Sequence, residues 1–184
     1  MFDRNWQPSH AAPARDVRKK RFGKSLVYFP SRKNRVQLIC ESHQEAYMCL
    51  LLEYQPHVTQ YYIQPVSYSY DSANKSCQYT PDFFVQCDDD HSYFIELKGS
   101  LSELSCHYHS VLDSFETAAA RLEYGFEKFN LAEFAKDGTL DNLGLLYSRS
   151  HQVTDYEQRQ LMNCLCAWTG PISVSLLLSH DLHP

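Results

Sequence analysis

The chain has 184 residues, 43 % of them hydrophobic, with a formal net charge of −5. That is enough for one well-filled core with a small appended part, and too acidic overall for a protein that grips nucleic acid by charge alone. No apolar run approaches the roughly 18 residues of a membrane span. The opening Met1-Phe2-Asp3-Arg4-Asn5 lacks the apolar stretch of a secretory leader. Seven cysteines, at 40, 49, 77, 87, 106, 164 and 166, are odd in number and show no paired CxxC spacing. They suit reduced thiols in a cytoplasm better than a disulfide framework. Cys164-x-Cys166 and Cys106-His107-Tyr108-His109 do not have ordinary structural-zinc spacing.

The charge is uneven. Residues 1–35 hold ten Lys/Arg against Asp3 and Asp16, a net +8, while the remainder holds seven against twenty acids, a net −13. A basic end on an acidic body concentrates phosphate contact at one place and implies that other subunits supply much of any nucleic-acid affinity. The alternative is a solvated tail. Residues 1–24 are polar and basic without helical periodicity, so they are expected to form a flexible arm with little to bury.

Leu26 to Phe29 is a short apolar run that Pro30 should end. Ser31-Arg32-Lys33-Asn34-Arg35 reads as a basic loop and Val36 to Ile39 as a brief strand. A helix is expected from Ser42 to about Tyr54, with Ser42 as N-cap and Glu45 three residues on, the spacing of a capping box. Pro56-His57 breaks it. Tyr61 to Tyr70 reads as one strand and Asp71 to Ser76 as a polar turn.

Two strands follow, Tyr79-Thr80-Pro81-Asp82-Phe83-Phe84-Val85 and Tyr93-Phe94-Ile95-Glu96-Leu97-Lys98, joined by the turn chemistry of Asp88-Asp89-Asp90-His91. Ser102 to Tyr124 has helical period through Val111, Leu112, Phe115, Ala118, Ala119 and Leu122. A short strand (Phe126 to Asn130) and a short helix (Leu131 to Ala135) come next. Helices are then expected over Leu140 to Ser148, 155–168 and 172–180. The strand–helix–strand order adds a parallel pair to the meander. The expected fold is therefore α/β, a mixed central sheet flanked by helices. It divides into a basic N-terminal arm (1–24), one main domain (25–150) and a short helical C-terminal extension (151–184).

The chemistry gathers in the central strand pair. Period-two alternation puts Glu96 and Lys98 on one face with Phe94, and a hairpin can bring Asp82 beside them. Two carboxylates and an ammonium are costly to hold together unless something binds there. Oxygen ligands suit Mg²⁺. Glu45 is either a cap alone or a third carboxylate projecting from its helix toward the sheet. A Gly-rich phosphate loop, a G-x-S-x-G elbow and HExxH are all absent, which argues against nucleotide and serine hydrolases.

Pro81-Asp82 followed by Glu96-x-Lys98 resembles the PD-(D/E)xK signature of restriction-endonuclease-like nucleases. A surface Asp and a solvated Glu/Lys strand edge would give the same letters. The longer order is more specific. It runs Phe29-Pro30-Ser31-Arg32-Lys33-Asn34-Arg35, Glu41-Ser42-His43-Gln44-Glu45, Leu52-Glu53-Tyr54-Gln55-Pro56-His57-Val58, Gln64-Pro65, Tyr79-Thr80-Pro81-Asp82-Phe83 and Ile95-Glu96-Leu97-Lys98. Gly125-Phe126-Glu127-Lys128-Phe129 and Leu140-Asp141-Asn142-Leu143-Gly144-Leu145-Leu146-Tyr147 continue it. Over roughly residues 25–150 this resembles TnsA, the endonuclease subunit of heteromeric Tn-type transposases, including those associated with CRISPR effectors. The tail is shorter than that family's C-terminal domain.

The resemblance implies a restriction-endonuclease-like fold and a bacterial, cytoplasmic enzyme. It would cut the 5′ (non-transferred) strands at transposon ends. A TnsB-like transposase and a TnsC-like AAA+ regulator are the implied partners. The family's active site carries onto Glu45, Asp82, Glu96 and Lys98, with Glu41 as runner-up to Glu45. Asp82, Glu96, the Leu97 carbonyl and Glu45 would hold one or two Mg²⁺, which Mn²⁺ would replace. Arg32, Lys33 and Arg35 in the loop and Arg18, Lys19, Lys20, Arg21 and Lys24 on the arm would contact DNA phosphates. A stand-alone restriction- or repair-type enzyme of the same fold, and a non-catalytic subunit that binds DNA ends and partners, are the alternatives.

Overall fold

Val27–Ser31 (β1) and Val36–Cys40 (β2) pair antiparallel across the basic loop. The computed structural model describes residues 6–10, 26–72, 75–98, 105–130, 138–150 and 154–167. Phe29, Ser31, Leu38 and Cys40 face inward on this ribbon, while Tyr28, Pro30 and Gln37 are exposed. Pro30 does not end the run as expected. A two-stranded ribbon has open edges, where a missing N–H costs little.

Helix α1 (His43–Tyr54) starts as its sequence dictates, the Ser42 hydroxyl accepting the Glu45 N–H at 3.1 Å. Strand β3 (Val58–Ile63) then stops at Gln64, which has φ +47, with Pro65 after it. Neither residue continues a ladder, so the single strand expected through Tyr70 is broken. The chain instead builds a separate hairpin of β4 (Tyr68–Ser72) and β5 (Lys75–Tyr79), taking up most of the segment expected as a polar turn. Pro81 likewise detaches β5 from β6 (Phe83–Cys87). β7 (Ser92–Leu97), α2 (Cys106–Ala120) and β8 (Gly125–Phe129) follow.

The main sheet has the order β3-β6-β7-β8, antiparallel except for the β7–β8 pair. Gly125 opens β8 because a Cβ there would lie 2.9 Å from the Cβ of Tyr93, its partner across the parallel pair. This is the mixed α/β architecture that the order of elements implies, and it is consistent with the restriction-endonuclease-like fold implied by the resemblance.

Both faces of the sheet are covered. Tyr62, Phe84 and Phe94 point to α2, whose Val111, Leu112, Phe115 and Ala119 close the larger core. Phe115 stands edge-on to Phe94, Tyr79 and Phe126 at 5.0–5.2 Å. On the opposite face Tyr61, Phe83, Val85 and Ile95 are inaccessible, and the Tyr61 hydroxyl reaches Glu53 of α1 at 2.7 Å.

The flexible arm expected for residues 1–24 needs correction at residues 6–10. Trp6 lies 5.0 Å from Phe84, 5.8 Å from Phe94 and 6.3 Å from Tyr124, and His10 stacks on Tyr62 at 4.3 Å. An indole has far more to gain from the open side of this aromatic cluster than from water.

The β1–β2 loop is fastened to the sheet by one amide. Asn34 donates from Nδ2 to the Tyr61 carbonyl at 2.9 Å and accepts the Tyr61 N–H on Oδ1 at 3.1 Å. Because β3 is the outer strand, Asn34 acts as a one-residue neighbour to it. Asn34→Ala strands both buried main-chain groups. We expect a loss of about 2 kcal/mol in urea denaturation, and an unchanged midpoint would refute the role.

The chain divides into two compact units, 1–140 and 141–184. The second unit holds most of α3 (Thr139–Ser150) and all of α4 (Asp155–Ala167). Thr154 and Glu157 form a full capping box at the start of α4, bonding at 2.7 Å and 3.3 Å. The helices expected at 131–135 and 172–180 lie outside the described residues. No described helix is long and apolar enough to cross a membrane.

Candidate active site

Asp82 sits in the step between β5 and β6, where Pro81 has ended one ladder and the next has not begun. Its carbonyl accepts the Gln64 N–H at 2.8 Å, and its carboxylate Oδ2 accepts the Leu97 N–H at 2.8 Å. The β6–β7 ladder ends at the pair of Phe83 with Ile95, so Leu97 lies beyond it and bonds a side chain instead. Within an extended strand the N–H and C=O of one residue point to the same edge, so the Leu97 carbonyl faces the Asp82 side too. No described residue donates to Asp82 Oδ1. The Asp82 carboxyl is pushed up to about 7, by burial first and then by the charges of Glu96 and Glu45. The Leu97 N–H and Lys98 offset this in part.

Glu96 and Glu45 reach Asp82 from opposite faces. Glu96, 2 % exposed, is on the α2 face of β7, and Glu45, 7 % exposed, is on the first turn of α1. The Glu45 Oε2 accepts the Glu41 N–H at 2.7 Å, so its carboxylate reaches back past the N-cap. Between the two helix carboxylates, it is Glu45 whose charge is felt at Asp82.

Glu96 is held by three donors. The Tyr79 hydroxyl donates to Oε2 at 2.6 Å, the Tyr108 hydroxyl to Oε1 at 2.5 Å, and the Lys98 ammonium pairs with Oε1 at 2.8 Å. Lys98 also lies over the Tyr108 ring, 4.7 Å from its centroid. Burial pulls the Lys98 ammonium down, but the Glu96 pair outweighs it and the net shift is upward. Burial and Glu96 also raise both phenols, so Tyr79 and Tyr108 act as donors.

Sequence reading missed both tyrosines and Gln64. Tyr108 lies one turn before Val111 on the same helical stripe, so extending the apolar periodicity backward would have found it. Gln64 is fully buried, neither amide atom has a hydrogen-bond partner among the described residues, and its N–H on the Asp82 carbonyl connects it to the site.

The basic residues are dispersed. Arg32 and Arg35 are exposed in the β1–β2 loop. Lys33 is used otherwise: its ammonium donates to the carbonyls of Leu52, at 2.8 Å, and Gln55, closing the C-terminal end of α1. Arg18, Lys19, Lys20, Arg21 and Lys24 lie outside the described residues.

Residues 55–133 match the family described as TnsA-like endonuclease N terminal. Over that stretch the chain is similar to the N-terminal domain of TnsA-like endonucleases. No curated protein matches the chain. The TnsA-like match takes in Asp82, Glu96, Leu97 and Lys98 together with Tyr79 and Tyr108, while Glu45 comes from α1, before its first residue. The family is one of transposase endonuclease subunits.

The TnsA-like site has the donor chemistry of a hard divalent cation: three carboxylates, one with an oxygen lacking any described donor, and a main-chain carbonyl at the same edge. Burial and the charges of Glu96 and Glu45 raise the Asp82 carboxyl to about 7, a cost that a bound cation would offset. Among the described residues, no three His, Cys, Asp or Glu side chains are gathered closely enough to hold an ion as they stand. Glu96 is turned to its three donors.

Proposed function

We propose that this chain is the Mg²⁺-dependent endonuclease subunit of a heteromeric transposase, cutting the 5′ (non-transferred) strand at transposon ends. The observation that carries this reading is the pairing of Asp82, whose Oδ2 accepts the Leu97 N–H at 2.8 Å, with the next residue back along β7, the buried Glu96, which is itself ion-paired to Lys98 at 2.8 Å. Carboxylates buried near one another are costly to ionise without a cation, and a bound cation would offset that cost.

Asp82, Glu96, Glu45 and the Leu97 carbonyl would hold one or two Mg²⁺, for which Mn²⁺ would substitute. Bound there, the metal would polarise the scissile phosphate and lower the pKa of an attacking water. Lys98, ion-paired with Glu96, is a cation that would orient the nucleophile and offset developing charge. The exposed Arg32 and Arg35 would track phosphates. A TnsB-like transposase and a TnsC-like regulator are the proposed partners, and the acidic body is consistent with affinity supplied by them.

The test is end cleavage reconstituted from the purified subunits on a duplex transposon end. Lys98→Ala should cut the 5′ strand roughly a hundredfold more slowly while leaving 3′-strand joining by the partner intact. Undiminished 5′ cleavage would remove Lys98 from the site. Efficient cutting of plain duplex by this chain alone would instead favour a stand-alone nuclease.

A further inference from the structure

Glu96 is the most enclosed of the three acids, and its hydrogen bonds are unequal. Among the described residues, Oε1 receives two donors, Tyr108 and Lys98, at 2.5 and 2.8 Å, while Oε2 receives one, Tyr79, at 2.6 Å. A carboxylate oxygen has two lone-pair sites, so Oε1 is filled. The two phenols also differ in how they are held. Tyr79 is buried and stands edge-on to Phe115 at 5.0 Å, inside the core. Tyr108 is half-buried on the first turn of α2, with Lys98 over its ring.

We propose that Tyr108 is a latch on Glu96: its hydroxyl holds Oε1 in the metal-free state, and a divalent cation must displace it to use that oxygen. Tyr79 is the fixed post that keeps Glu96 from leaving with it. The proposal makes Tyr108 a positioning residue that sets metal affinity, and it rests on reading this site as a metal centre. It also makes α2 the element through which metal occupancy is felt.

Mn²⁺ titration of the full chain, followed by electron paramagnetic resonance, separates the possibilities. Tyr108→Phe keeps the ring under Lys98 and removes only the hydroxyl. It should bind Mn²⁺ about tenfold more tightly than wild type, the effect of deleting one competing hydrogen bond to a charged group. A merely structural role would lower the melting temperature in chelator and leave the affinity unchanged. Equal or weaker Mn²⁺ binding by Tyr108→Phe overturns the latch. The metal reading still stands in that case if Asp82→Asn loses Mn²⁺. If wild type binds no Mn²⁺ and Asp82→Asn makes no difference, both fall. Should Tyr108→Phe not fold, 3-fluorotyrosine at position 108 gives a second readout. Its ¹⁹F line should move when Mg²⁺ is added, and a line that stays in place while Mn²⁺ binds sinks the latch.

Discussion

Asp82→Asn is expected to slow 5′-strand cleavage by about a thousandfold and, in the same molecule, to stabilise the metal-free protein at pH 8. The two effects share one cause. In the folded chain the Asp82 carboxyl is raised from its ordinary 3.8 to about 7, because burial and the charges of Glu96 and Glu45 oppose ionisation. The folded state therefore holds a proton that the unfolded chain has released. Its contribution to stability is complete below the unfolded value and is lost as pH rises through about 7. Asparagine carries no charge at any pH and can still accept the Leu97 N–H, so this part of the pH slope should vanish. Urea melts of both proteins in chelator, from pH 4 to pH 8, would show it. A parallel slope in the two would mean that Asp82 does not experience its neighbours as described. With metal the sign reverses: a cation must expel the proton below pH 7, so affinity should rise with pH up to that point and then level off.

Trp6→Ala is expected to cost about 3 kcal/mol, near the low end for a large aromatic removed from a core, because the indole is only partly buried. The loss comes from three ring contacts, to Phe84, Phe94 and Tyr124. Phe84 and Phe94 belong to the two central strands, whose ends carry Asp82 and Glu96. A chain truncated before residue 11 should therefore melt at lower temperature even without DNA. Equal denaturation midpoints for wild type and Trp6→Ala would return residues 6–10 to the role of a free tail.

The sheet was legible from local signals. The aromatic and β-branched runs at Phe83–Val85 and Tyr93–Leu97, the Ser42 cap and the helical stripe from Val111 to Ala119 are short-range patterns, and each appears where the sequence put it. The interruption at Gln64 was not legible, because a left-handed non-glycine residue has no composition cue and Pro65 alone is compatible with an edge strand. The contacts of Trp6 and Lys33 were not legible for a related reason. Their partners, Phe84 and Phe94 for one and the α1 carbonyls for the other, are distant in the chain, so composition saw only a polar arm and a basic loop. The acids at 45, 82 and 96 could be chosen by their motif, but the phenols that restrain Glu96 could not. A tyrosine in a strand or on a helical stripe looks like core until its hydroxyl is located.

The grip of Asn34 on Tyr61 also has a bearing on assembly. An outer strand with unsatisfied main-chain groups invites another chain to lie alongside and extend the sheet, which in a multi-subunit machine risks the wrong neighbour. Here the amide occupies that rim at its middle, so a subunit that approaches from the β3 side must dock through side chains rather than by strand addition.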